Sequence, residues 1–220
     1  MVTDRRSPCD KIIKLSVGSD DPIIINVHQG VLCKSSEFFK IAMKPEWADQ
    51  RDEPDTIDLC EGTVDVVKLY VDWLYCSHIG VIGPYWDENL SKAEKSKAAH
   101  EFYKTLAIAY LFGDEVVDVK FQISVLTRFT EFEYRSIHKP GPLIFDIIYQ
   151  GTSAGSPMRH FLCDYVVLRA NNDPGWAEGF KQYPPEALVD IVTGLVAKRK
   201  MPSAIVSAMS PCKYFERNEA

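Results

Sequence analysis

The sequence predicts an α+β fold in which a small β-sheet is covered by α-helices and followed by a helical C-terminal extension. The sheet is expected to consist of a hairpin and a short third strand. Three observations predict this fold. Apolar and polar residues alternate near the N-terminus, as in half-buried strands. A β-branched run at residues 23–27 leads directly into residues with helical spacing. From residue 62 onward, apolar residues recur at the three- and four-residue steps of amphipathic helices.

The hairpin is predicted by the alternation over residues 11–17. Ile13, Leu15 and Val17 share one face of this segment, and Lys14 and Ser16 share the other. Residues 18–22 have the composition of a turn, so residues 23–27 are interpreted as the returning strand.

The next elements are predicted by capping residues and by a short apolar run. Ser35 or Ser36 is expected to cap a helix that Pro45 ends. The acidic segment 46–61 contains a strand-like piece at residues 56–59, and is either a solvated loop or a docking surface for a basic partner. Thr63 is expected to cap the following helix.

Helices dominate the rest of the chain. One is predicted to begin at residue 98 and end at Gly113, and another to cover residues 116–129. The His-Lys-Pro-Gly-Pro segment at 138–142 indicates a boundary, with further helices near 143–150, 157–169 and 185–200. The predicted units are a tail at 1–9, a main domain at 10–135, an extension at 141–205 and a tail at 206–220.

Composition excludes several classes of function. The 220 residues carry a formal net charge of −6, whereas binding to free nucleic acid requires a basic face. No apolar run is long enough to span a bilayer, and no apolar stretch follows the basic N-terminal residues, so no secretory signal is expected. The six cysteines lack the spacing of a zinc pair. We therefore expect free thiols, no cofactor, and a location in the cytoplasm, the nucleus or both.

The ordered elements resemble a BTB/POZ domain over roughly the first two thirds of the chain, in the compact form common in filamentous fungi. The structural signature consists of Asp10, Gly18, His28, Leu32, Ser36 and Phe39. The resemblance implies that His28 is structural, at the corner between a strand and a helix. It also implies non-catalytic protein–protein interaction. The expected roles are self-association, recruitment of a substrate to a cullin-type ubiquitin ligase, or both.

Five residues are predicted to form a partner surface. Trp47, Tyr85 and Trp86 lie in polar surroundings, which is typical of exposed aromatic anchors at interfaces. Phe129 and Glu131 belong to a hydrophobic–x–Glu pattern that some relatives within the family use to bind a cullin scaffold. The expected partners are therefore proteins, including a second copy of the chain or a cullin, and neither nucleic acid nor a membrane.

A hydrolase is the alternative hypothesis. The segment Gly151-Thr152-Ser153-Ala154-Gly155 matches the nucleophile-elbow pattern of serine hydrolases. Such an elbow requires a strand before the serine and a histidine after it, and His160 is the only histidine that follows. The preferred interpretation of the segment is a turn between two helices, the second starting at Pro157.

Overall fold

The computed structural model describes residues 10–80, 90–135 and 138–199. Over these residues the fold is α+β, as predicted, with a three-stranded sheet and ten helices. The strands are β1 (Ile12–Val17), β2 (Ile23–His28) and β3 (Thr56–Leu59). β1 lies in the middle of the sheet, antiparallel to β2 and parallel to β3. The predicted hairpin and third strand are therefore confirmed.

The helices follow the sheet in chain order, with α1 to α3 lying between β2 and β3. They are α1 (Gln29–Ser35), α2 (Glu37–Ala42), α3 (Pro45–Ala48), α4 (Val64–Cys76), α5 (Lys92–Glu115), α6 (Val119–Arg135), α7 (Pro142–Gly151), α8 (Pro157–Arg169), α9 (Pro174–Phe180) and α10 (Pro185–Lys198). None of these helices, in the part of the chain that the structure describes, has both the length and the apolar character needed to cross a bilayer.

The inner face of the sheet forms one side of the core. Ile13, Leu15 and Val17 are fully buried, which confirms the face predicted from their alternation. In the register of the sheet, Leu15 lies opposite Ile57 on β3. Burial of these aliphatic side chains removes apolar surface from water, which is the main favourable term in folding.

The C-terminal helices pack against the first part of the chain. Tyr103 on α5 donates a hydrogen bond to the carbonyl oxygen of His138 at 2.9 Å. The rings of Phe129 on α6 and Phe161 on α8 meet edge to face, with centroids 5.5 Å apart. One hydrophobic core therefore continues across the Pro-Gly-Pro segment at residues 140–142.

Several predicted helix ends are wrong. The helix α5 begins at Lys92 and not at residue 98, and α6 covers Val119–Arg135 and not residues 116–129. Gly113 does not end α5, which continues to Glu115. A Cβ atom at this glycine would lie 2.9 Å from Cγ of Gln122 and 3.0 Å from Cδ1 of Phe121, so the residue allows α6 to approach closely. Pro45 does not end α2, which stops at Ala42, but occupies the first turn of the short helix α3. Neither α3 nor α9 was expected as a separate helix.

Candidate protein-binding groove

Ser36 joins two parts of the main domain. Its hydroxyl accepts a hydrogen bond from the N–H of Phe39 at 3.1 Å, so it caps α2 as predicted. The same hydroxyl donates to the carbonyl oxygen of Val116 at 2.5 Å. Ser36 is fully buried, so both bonds are shielded from water. The start of α2 is thereby fixed against the end of α5.

Asp118 anchors the connection between α5 and α6. One carboxylate oxygen accepts the N–H of Phe121 at 3.0 Å, which caps α6. The other accepts the hydroxyl of Tyr70 on α4 at 2.9 Å. Burial raises the pKa of Tyr70 far above its usual value, and the neighbouring Asp118 carboxylate raises this pKa further.

Val117 lies between Val116, whose carbonyl oxygen accepts the hydroxyl of Ser36, and Asp118, and its backbone is strained. Its φ of 52° falls in the left-handed region, which β-branched residues avoid. The N–H of Asp118 donates to the carbonyl oxygen of Gly113 at 2.9 Å, and this bond closes α5 with a Schellman motif. Glycine is the usual residue at the left-handed position of that motif, so valine here carries a steric cost.

The exposed side chain of Val117 lines an apolar groove with residues of α2 and α3. Its exposed apolar residues are Phe38, Ile41, Trp47 and Val117, and the exposed polar residues Glu37, Gln50 and Asp58 also line it. The four apolar residues are between 37% and 56% exposed, and the open groove has a volume of about 730 Å³. Contiguous exposed apolar residues of this kind mark interaction surfaces more often than singly scattered ones do.

Arg51 lines the groove and fixes one of its walls. Its guanidinium donates to the carbonyl oxygen of Ala42 at the end of α2 at 2.6 Å, and to that of Thr56 on β3 at 3.1 Å. The cation is therefore engaged with backbone groups and satisfies the free carbonyl at the end of α2. Ser36 holds the start of α2 and Arg51 holds its end, so this wall of the groove is fixed at both ends.

The BTB-like signature residues occupy structural positions. The carboxylate of Asp10 accepts the N–H of Gly30 at 2.8 and 3.1 Å, which holds the start of α1. Gly18 has a φ of 98° in the hairpin turn, where glycine is favoured. Leu32 and Phe39 are fully buried in the core.

His28 lies at the corner between β2 and α1, as expected. Its Nδ1 atom is 2.6 Å from the hydroxyl oxygen of Tyr75, and its backbone N–H donates to the same oxygen at 3.1 Å. The hydrogen-bond partner of the ring is therefore a side chain of α4. His28 therefore joins the sheet to α4.

The predicted partner surface is corrected in one respect. Phe129 is 0% exposed and packs against Tyr103 and Phe161, so it cannot contact a partner in this conformation. Glu131 is exposed and forms an ion pair with Arg128 at 3.4 Å. Trp47 is exposed in the groove, as predicted.

Tyr85 and Trp86, also predicted to belong to the partner surface, lie outside the described residues, as do both predicted tails. Phe38, Ile41 and Val117, in contrast, belong to the groove but were not predicted as surface residues.

The elbow-like segment lies between two helices. α7, and not a strand, precedes Ser153, and Ser153 is exposed at the turn into α8. Arg159 fills the turn: its guanidinium donates to the carbonyl oxygens of Tyr149, at 2.6 Å, and Thr152. These bonds satisfy free carbonyls at the end of α7. The geometry is that of a helix–helix turn and lacks the strand that a nucleophile elbow needs.

The described residues contain no group of three or more His, Cys, Asp or Glu side chains that could hold a metal ion. A comparison with protein-family models finds no matching family, and a comparison with curated proteins finds no matching relative.

Proposed function

We propose that this protein is a non-catalytic interaction module, and that the groove lined by Phe38, Ile41, Trp47 and Val117 binds an apolar segment of a partner protein. The observation that carries this proposal is the exposure of two aromatic and two aliphatic side chains around a concave, internally fixed surface. Exposed tryptophan is among the residues most enriched in binding hot spots.

The chemistry of the partner follows from the shape and charge of the groove. A short, concave apolar surface fits one face of an amphipathic helix. Glu46, Asp49 and Asp52 are exposed in the segment around Trp47. Their negative charge favours a partner helix that carries lysine or arginine beside its apolar face.

The resemblance to BTB/POZ domains supports a more specific form of this proposal. In that form, the protein is an adaptor that brings a substrate to a cullin-type ubiquitin ligase in the cytoplasm or nucleus, and it also self-associates. The signature residues support this form because they have structural roles. His28 joins β2 to α4 at the corner before α1, and Leu32 and Phe39 are buried in the core.

Calorimetric titration of the purified chain with a cullin N-terminal domain tests the proposal. We expect binding, and we expect Trp47→Ala to weaken it at least about tenfold, since truncation of a hot spot costs about 2 kcal/mol or more and about 1.4 kcal/mol corresponds to a factor of ten. Leu168→Ala is the matched control, because Leu168 is an exposed apolar residue on α8, outside the groove.

Three outcomes of the titration are informative. Absence of binding would contradict the cullin adaptor role. Binding that Trp47→Ala leaves unchanged would contradict the use of the groove. Equal losses in Trp47→Ala and Leu168→Ala would show that the effect is not specific to the groove.

A further inference from the structure

Helix α10 is apolar on two sides. Its inner side carries Ala187 and Ile191, which are buried, and Gly194, where a Cβ atom would lie 3.0 Å from Cγ2 of Val167 on α8. Its outer side carries four aliphatic residues that are between 46% and 64% exposed. This outer row consists of Val189, Val192, Leu195 and Val196.

A helix that packs against one neighbour needs only one apolar stripe, and the opposite side is normally polar. The outer row is contiguous, because Val192 lies three residues from Val189 and three and four residues from Leu195 and Val196, so that the four lie on one face of the helix. Contiguous apolar rows on a surface indicate an interaction site.

The outer row cannot turn inward, because polar contacts fix α10 against α7 and α8. The hydroxyl of Tyr149 on α7 donates to the carboxylate of Asp190 at 2.8 Å. Lys198 forms an ion pair with Asp164 on α8 at 2.9 Å. These contacts determine which side of the helix remains exposed.

We propose that the outer row pairs with the outer row of a second copy of this chain, in an antiparallel arrangement about a two-fold axis near Val192. Around that point the row is self-complementary, since Val189 lies three residues before Val192, and Leu195 and Val196 lie three and four residues after it. Two antiparallel copies therefore place Val189 of each chain opposite Leu195 and Val196 of the other. A two-fold contact requires this kind of self-complementary surface.

The charges at the ends of α10 favour the antiparallel direction. Glu186 lies in the first turn, and Arg199 directly follows the last residue of the helix. In an antiparallel pair the acidic end of each helix lies beside the basic end of the other, and the two helix dipoles are opposed, although Glu186 itself lies about 120° around the helix from Val192 and outside the paired face. In a parallel pair, like charges would face each other.

The contact is small, so the dimer is expected to be weak. Fourteen residues of helix are about 21 Å long, and a contact confined to one helix face lies at the low end of protein interfaces. We therefore expect reversible association in the micromolar range. This inference rests on the self-association part of the proposed function. It also predicts that each dimer presents two grooves.

Sedimentation equilibrium of the full chain, from about 1 to about 200 μM, tests the proposal. Val192→Glu places a charge at the centre of the row and is expected to weaken dimerisation at least tenfold. Ala197→Glu is the matched control, because Ala197 is exposed on the same helix and lies about 140° around it from Val192. That variant is expected to dimerise like the wild-type protein.

A charge exchange tests the direction of pairing. Glu186→Arg is expected to weaken the dimer slightly, through the charge at the end of the helix and not through a side-chain contact, and the double variant Glu186→Arg with Arg199→Glu is expected to restore it. Far-ultraviolet circular dichroism confirms that each variant is folded. Dimers that Val192→Glu does not weaken would overturn this surface while leaving self-association intact. A wild-type chain that is monomeric throughout would overturn both, and neither result bears on partner binding in the groove.

Discussion

Two tyrosine–aspartate hydrogen bonds of nearly equal length lie behind the two exposed surfaces of this protein, in different surroundings. Tyr70 donates to Asp118 at 2.9 Å behind the groove, and Tyr149 donates to Asp190 at 2.8 Å behind the outer row of α10. Asp118 is fully buried and also caps α6, whereas Asp190 is only partly buried.

The difference shows how each surface is shaped. At the groove, buried hydrogen bonds hold an irregular connection, so that Val117 keeps a strained backbone and its side chain remains exposed. At α10, the bond holds a regular helix whose exposed row has the geometry of any helix face. An irregular concave surface suits a partner of different shape, whereas a regular convex helix face suits a copy of itself.

Replacing each of the two aspartates by alanine tests this comparison with the largest expected effect. Asp118→Ala leaves the buried Tyr70 hydroxyl without its acceptor and removes the cap of α6, so we expect the free energy of unfolding to fall by about 3 kcal/mol. Asp190→Ala removes one partly buried bond, and we expect a loss of about 1 kcal/mol. Urea unfolding followed by tryptophan fluorescence measures both changes. Equal losses would show that burial does not distinguish the two bonds.

Much of the fold could be predicted because its signals are local. Alternation over six residues defines the buried face of β1, and a serine before an apolar turn predicts the cap of α2. The burial of Phe129 could also have been predicted from the sequence. It continues the four-residue spacing of Phe121 and Val125, both of which are buried on the inner face of α6.

The groove could not be predicted, because its parts come from distant segments. No pattern in the sequence indicates that Val117 adopts a positive φ, since valine disfavours that conformation and only the anchors on either side impose it. Gly113 was misread for a similar reason: glycine serves both helix ends and close packing, and only the position of α6 decides between them.

Replacing the strained valine separates stability from binding. Val117→Gly relieves the left-handed conformation, so we expect the free energy of unfolding to rise by about 1 kcal/mol. It also removes one wall of the groove, so we expect weaker binding of the cullin N-terminal domain. Chemical unfolding and calorimetric titration measure the two effects.

Ser77→Gly is the control for Val117→Gly, because Ser77 is the other non-glycine residue of the described chain with a positive φ and lies outside the groove. That variant should bind the partner like the wild-type protein. A Val117→Gly variant that is less stable than the wild-type protein would show that the valine side chain contributes more by packing than its backbone costs.

The smallest expected effect concerns alkaline pH, where buried phenols make the folded state less stable. Burial raises the pKa of Tyr183 to about 12 and also raises the pKa of Tyr149, which its bond to Asp190 raises further. In the unfolded chain tyrosine ionises near pH 10. Above that pH the unfolded state binds fewer protons than the folded state, so the free energy of unfolding falls as pH rises from 10 towards 12.

Tyr183→Phe should leave stability at pH 7 nearly unchanged, because its ring stack with Phe145, at 4.1 Å between centroids, is retained. It should also make the alkaline decline shallower, as measured by urea unfolding at a series of pH values. An equally steep decline in this variant would show that other groups cause it.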